Sequence, residues 1–265
     1  MNLAISNIGW KAEDDQKVYC WMQQYGFKGL EIAPTRIIPN EPYDNIKPAK
    51  EWKEELYRQY AFCVPSMQSI WYGRSEKIFG TSEERQILLD YTKKAIDFAA
   101  EIGCGNLVFG CPKNRVWAKE EDKDIGIAFF EELADYALSK QTVIGLEANP
   151  TIYNTNYINT TKEAIELIEK VHSKGFLLNL DIGTMIANDE SLDLVRGKVH
   201  LINHVHISEP WLKVIQKREL HVELKDILEE EKYSGFISIE MGNVEEIQDL
   251  RTAMQYVKDV MENDI

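Results

Sequence analysis

The chain has 265 residues and a formal net charge of −14, from 30 basic and 44 acidic side chains. That length is close to the ~250 residues of one complete eight-fold barrel and large enough to bury a core without disulfides. The acidic balance argues against a nucleic-acid partner, which needs a basic face, and four cysteines without CxxC spacing read as thiols of a reducing cytosol.

Short apolar runs alternate with longer helical patterns along the chain. Eight such runs occur, at 3–8, 29–33, 63–69, 106–110, 142–148, 176–182, 201–207 and 236–241. Their starts lie 25 to 43 residues apart, room for one crossover helix each. The N-terminal residues lack a basic, then apolar leader, and no run approaches the 18 apolar residues of a membrane span. Gly26, Gly103, Gly175 and Gly235 stand between helical patterns and runs, where a left-handed helix terminator is expected. Residues 36–52 contain Pro39, Pro42 and Pro48 and read as a surface excursion, either a lid or a plain loop. Thr81 with Glu84, and Thr160 with Glu163, have capping-box spacing. After the first box, Ile87, Leu88, Tyr91, Ala95, Ile96, Phe98, Ala99 and Ile102 repeat at helical spacing. The expected fold is a single (β/α)₈ TIM barrel over residues 1–265. A doubly wound open sheet is the alternative, but no GxGxxG follows the first run.

In such a barrel, chemistry sits at the C-terminal strand ends. The fifth run ends in Glu147, the sixth in Asp181, the seventh in His206 and the eighth in Glu240. An ionisable group at the end of an apolar strand is costly unless paired or bound to a metal. Three carboxylates and one imidazole suit a single divalent ion, Mn²⁺, Mg²⁺, Co²⁺ or Zn²⁺. His204 precedes His206 by two and faces the same way, one layer deeper. Glu31 ends the second run, and Gln68 ends the third; both are candidate substrate contacts. Lys113 and Arg115 follow the fourth run as candidate anion ligands. Trp10, Trp71, Trp117 and Trp211 fall at or after strand ends, where aromatic faces suit sugar C–H surfaces. Glu209 and Thr184 are further candidate substrate contacts, and Glu209 is also a candidate support for the site.

The motifs LVFGCP (107–112), GLEANP (145–150), LNLDIGT (178–184), HVHISE (204–209) and ISIE (237–240), in this order, resemble the sugar isomerase/epimerase group with xylose-isomerase-like barrels. Ketose 3-epimerases and hydroxypyruvate isomerases belong to that group. The resemblance implies that Glu147, Asp181, His206 and Glu240 hold one metal. It implies that Glu147 and Glu240 flank the substrate carbon and pass a proton through a metal-bound enediolate. The implied substrate is a sugar or polyol-derived ketone, and homo-oligomers would be in keeping. Thr184 stands where many members carry a substrate-touching histidine, and Pro210-Trp211-Leu212 replaces a common Asn-His-Arg. These departures motivate a second expectation, a non-catalytic carbohydrate-binding barrel, and leave open an inosose-type dehydratase. An apurinic endonuclease is disfavoured, because the first histidine is His172. No Gly-rich phosphate cradle follows the last two runs, which favours an unphosphorylated substrate.

Overall fold

A computed structural model describes residues 1–119 and 122–262. Seven parallel strands form one sheet: β1 (Asn2–Ser6), β2 (Gly29–Glu31), β3 (Leu107–Phe109), β4 (Ile144–Leu146), β5 (Phe176–Asp181), β6 (Ile202–Ser208) and β7 (Phe236–Glu240). Their order is β2-β1-β7-β6-β5-β4-β3. The eighth expected strand, 63–69, closes the ring between β2 and β3 through isolated bridges of Cys63 to Gly29 and Met67 to Ile32 and Leu107. Pro65 explains why it is not a regular strand, since proline has no N–H for the ladder. The closure is still hydrogen bonded: Leu30 N–H donates to Cys63 O (2.9 Å), and Val108 N–H to Met67 O (2.8 Å). The result is a (β/α)₈ barrel.

The outer layer comprises α1 (Asp15–Tyr25), α2 (Pro34–Ile37), α3 (Ile46–Tyr60), α4 (Ser82–Ile102), α5 (Asp122–Ser139), α6 (Thr161–Val171), α7 (Ile182–Asn188), α8 (Glu219–Glu230) and α9 (Ile247–Glu262). Both capping boxes form, with Glu84 N–H donating to Thr81 Oγ1 and Glu163 N–H to Thr160 Oγ1. The apolar stripe of α4 buries Leu88, Ala95, Ile96, Phe98, Ala99 and Ile102, whereas Ile87 is exposed. Phe130 of α5 stacks on Phe176 of β5 with centroids 4.9 Å apart. Each such ring contributes about 1.5–3 kcal/mol by leaving water.

Two local expectations are corrected. Residues 36–52 are not one loop: α3 already starts at Ile46, and Pro48 sits in its first turn, where the missing N–H costs nothing. Gly26 and Gly103 are left-handed caps (φ 79° and 70°), but Gly175 and Gly235 are not. His172 caps α6 in that conformation instead, and Gly175 is required by contact: a Cβ there would lie 2.0 Å from the Ala134 carbonyl oxygen.

Candidate metal and proton-transfer site

Strand period and register decide which side chains meet. In β5, Asn179 and Asp181 point inward together; in β6, His204 and His206 do the same. A register shift between Leu178 and Asn179 brings Asp181 opposite His206, while Ser208 pairs with Glu240 of β7. Bulges next to functional sites re-aim side chains in this way. Glu147 follows β4 directly. Gly110 leaves room for it, since a Cβ there would sit 2.8 Å from Glu147 Oε2.

The four side chains converge. Ligand atoms of Glu147, Asp181, His206 and Glu240 all lie within 4.8 Å of one another. His206 Nδ1 is 3.1 Å from Glu147 Oε1, 3.3 Å from Glu240 Oε2 and 4.0 Å from Asp181 Oδ2. Burial, with Glu147 adding to it, pushes Asp181 up to about 6. Burial also pushes Glu240 up to about 7, against the opposing pull of His206. Burial alone would lower the His206 pKa, but Glu240 and Glu31 outweigh it and hold the ring well above its ordinary value. Three mutually repelling carboxylates around one imidazole nitrogen are a site that asks for a cation.

The surrounding groups fit a divalent ion there. Glu31 Oε2 lies 2.9 Å from His206 Nε2, which sets that nitrogen as the donor. Asn179 Nδ2 donates to Glu147 Oε1 (2.9 Å) and lies 3.3 Å from His206 Nδ1, the nitrogen whose proton a bound ion would displace. Such outer partners fix the tautomer of ligating histidines. Ser208 Oγ donates to Asp181 Oδ2, and Gln68 Nε2 donates to Glu240 Oε1 (2.9 Å). His204 Nε2 is 3.0 Å from the same Glu31 oxygen. Burial lowers the His204 pKa and favours its neutral form.

The quartet opens into a two-lobed cavity. One lobe, about 340 Å³, is lined by Gln68, Ser69, Trp71, Tyr72, Lys113 and Asn114. The other, about 270 Å³, is lined by Tyr153, Trp211, Leu212, Ser208 and Glu209. Glu147, Glu240, Asn149 and Pro112 belong to both walls. Trp211 and Leu212 are both left-handed (φ 64° and 52°). Such strain costs about 1–3 kcal/mol per residue and persists only where neighbours enforce it. Here Tyr153 Oη accepts from Trp211 N–H (2.8 Å), and Leu212 O accepts from Gly242 N–H (2.8 Å).

Of the six residues expected to contact substrate, Gln68, Trp211 and Glu209 line this cavity. Glu209 is not free, however, because Arg218 donates to both of its oxygens (2.7 and 2.6 Å). The other three do not reach it. Glu31 lies fully buried beneath His206. Thr184 turns inward at the start of α7, its Oγ1 donating to Ala148 O (2.8 Å). Trp10 is buried, with Nε1 donating to Asp15 (2.8 Å). Arg115 is also buried and donates to the Glu147 main-chain oxygen (2.9 Å), which leaves Lys113 alone at the cavity wall. Sequence reading missed Asn149, Asn179, Ser208 and Tyr153. Asn179 was findable, since alternation from Asp181 puts it on the same face.

A profile of the xylose isomerase-like TIM barrel family matches residues 21–260. No curated protein matches the chain in sequence. Among solved structures, 3-keto-D-glucoside 4-epimerase from E. coli superposes with a TM-score of 0.77 at 19% identity, over 97% of this chain and 99% of that one. D-Psicose 3-epimerase from Clostridium cellulolyticum H10 gives 0.78 at 17% identity, over 99% and 100%. An AP endonuclease, family 2, from Brucella melitensis gives 0.71 at 18% identity, over 92% and 94%. At these identities the likeness concerns the fold.

Proposed function

Because the chain belongs to the xylose isomerase-like TIM barrel family, we propose that it is a divalent-metal-dependent isomerase or epimerase of a sugar or related hydroxy-ketone. The observation that carries this reading is the convergence of Glu147, Asp181, His206 and Glu240 at one cavity, with both glutamates on the walls of both lobes. A divalent ion held by these four residues would polarise a substrate oxygen beside the reacting C–H bond. The proton itself falls to the protein: one glutamate takes it from carbon and the other returns it. Gln68 fixes Glu240, while Asn149 and Asn179 fix Glu147, with donor distances of 2.9, 3.1 and 2.9 Å. Oriented carboxylates waste little motion in transfer.

The structural likeness to two sugar epimerases supports a sugar-like substrate. Lys113 is the one cation on the described cavity wall, which favours an uncharged substrate over a phosphate ester. A net charge of −14 and unpaired cysteines favour a small-molecule enzyme of the cytoplasm, with no nucleic-acid partner. Among the described residues, no helix is long and apolar enough to cross a membrane.

Metal per chain, measured by mass spectrometry on chelator-free protein, tests the quartet. About one Mn, Co, Mg or Zn per wild-type chain is expected, lost in Asp181→Asn. Incubation with ketoses in D₂O tests the chemistry: deuterium enters a substrate C–H position, and Glu147→Gln or Glu240→Gln abolishes this. A chain that binds no metal, even in excess Mn²⁺, sinks the proposal. The inward turn of Thr184 favours a second reading, a carbohydrate-binding barrel without turnover. Sugar binding without any deuterium exchange would select it.

A further inference from the structure

Another cavity, of about 540 Å³, lies between α1, α9 and the segment that joins β6 to α8. Its wall includes Tyr25, Lys217, Arg251, Gln255, Tyr256 and Asp259, none of which lines either lobe at the quartet. Arginines of this acidic chain commonly find a carboxylate: Arg36, Arg58, Arg74, Arg196 and Arg218 all do. The side chains of Arg251 and Lys217, among the described residues, meet only aromatic ones, although acids outnumber bases by 44 to 30. Arg251 Nε donates to Tyr25 Oη (2.9 Å), and its guanidinium carbon lies 5.5 Å from the centre of the Trp21 ring. That fixes the fork and leaves both terminal amino groups and the Tyr25 O–H as uncommitted donors. Lys217 Nζ stands 5.9 Å over the Tyr256 ring. Tyr256 is itself held, its Oη accepting from Arg218 N–H (2.9 Å) and lying 2.9 Å from His221 Nδ1. Asp259 is the one acid on the described wall; Gln255 Nε2 donates to its Oδ1 (2.7 Å), which leaves Oδ2 as an acceptor.

We propose that this cavity is a binding site for a phosphate ester of a sugar or polyol, separate from the cavity at the quartet. The phosphate would lie on Arg251, Lys217 and the Tyr25 hydroxyl. A guanidinium meets phosphate oxygens in pairs, and one already stacked and pinned loses little freedom on binding. Two cations against one carboxylate leave the wall with an excess of one positive charge, so a neutral sugar would leave that charge unmatched. Asp259 sets the rest of the ligand: it repels a bare anion, while its free oxygen accepts from a hydroxyl beside the phosphate. The half-buried Tyr256 ring offers an apolar face for the C–H surface of a sugar. Nucleic acid carries the same phosphate chemistry, but the net charge of −14 disfavours a long polyanion. The site needs neither a metal nor turnover at the quartet, so it stands apart from the proton-transfer reading.

Isothermal titration calorimetry on chelator-free protein tests this with D-glucose 6-phosphate, inorganic phosphate and D-glucose. Salt at about 0.15 M screens diffuse attraction to exposed charges beyond about 8 Å. D-Glucose 6-phosphate is expected to bind with a Kd of about 0.1–1 mM and inorganic phosphate about tenfold more weakly. Arg251→Gln should weaken the ester about tenfold or more, through loss of the paired contact. Lys217→Gln, which alters only an exposed side chain and leaves the fold intact, should weaken it several-fold. Lys113→Ala and Asp181→Asn, which change the other cavity, should leave this binding as in the wild type. D-Glucose should show no binding that Arg251→Gln removes. An ester affinity lost in Lys113→Ala or Asp181→Asn but kept in Arg251→Gln and Lys217→Gln would place the ligand at the quartet and overturn the proposal. So would the absence of binding at about 10 mM ester, ten times the weakest Kd expected. An ester no tighter than inorganic phosphate would reduce the site to an adventitious anion contact and overturn it as well.

Discussion

His206 is held from two sides, and its usefulness depends on which nitrogen carries the proton. Glu31 Oε2, 2.9 Å from Nε2, accepts a hydrogen bond from it, which leaves Nδ1 to face the carboxylates. Glu31→Gln breaks this logic, because an amide can present N–H to Nε2 and drive the proton to Nδ1. Calorimetric titration with Mn²⁺ should then show affinity reduced about 10–100-fold, the usual cost of losing an outer partner of a ligating histidine. Circular dichroism of the metal-free variant should stay that of the wild type; unchanged affinity would mean that Glu31 only fills space. The quartet was legible in the sequence because four successive apolar runs ended in ionisable groups, an arrangement with few stable alternatives. Glu31, Thr184 and Trp10, expected at the substrate, lie away from the cavity for one shared reason. Sequence gives the distance of a residue from a strand end, but not whether the chain then turns its side chain to the mouth or beneath it.

At the level of elements, close approach is set by glycine as much as by apolar stripes. Gly175 precedes β5 and lies against the backbone of α5, where a Cβ would meet Ala134 O at 2.0 Å and Leu138 N at 2.9 Å. A rigid main chain cannot yield as a flexible side chain can. Gly175→Ala should therefore push α5 off the barrel and cost about 1–3 kcal/mol, as overpacking typically does. In a chain of this size that is a fall of several degrees in Tm, readable by calorimetry; an unchanged Tm would mean that α5 shifts freely. The alternation of runs and helical patterns located all eight β units, because each must bury an apolar strand under a crossover. Its failures were local. Pro65 stripped the third unit of its ladder without removing it from the ring, and Pro48, expected in a surface excursion, stands in the first turn of α3. Gly175 looked like a cap from position alone, while His172 does the capping.

For the whole molecule, the site is a junction between strands. Glu147, Asp181, His206 and Glu240 come from the ends of β4 to β7, so a ligand that needs all four binds the closed barrel and not the unfolded chain. At about 100 times its dissociation constant, such a ligand adds about 2.7 kcal/mol of stability. That corresponds to a rise of roughly 5–10 °C in Tm for a chain of this length. Without metal the same carboxylates work against the fold. The Asp181 pKa rises from 3.8 to about 6 on folding, through burial first and Glu147 second. Between those values the folded state binds more proton than the unfolded one, so stability falls as pH rises through that window. At pH 8, Asp181→Asn should therefore match or exceed the wild type in Tm when both are metal-free, since it removes a buried charge that repels its neighbours. Adding Mn²⁺ should reverse the order, lifting the wild type by several degrees and leaving the variant nearly unmoved, and a chelator should restore the first ranking. A wild type that stays less stable than Asp181→Asn at saturating Mn²⁺, Co²⁺, Mg²⁺ and Zn²⁺ would mean that the four side chains meet without forming a metal centre.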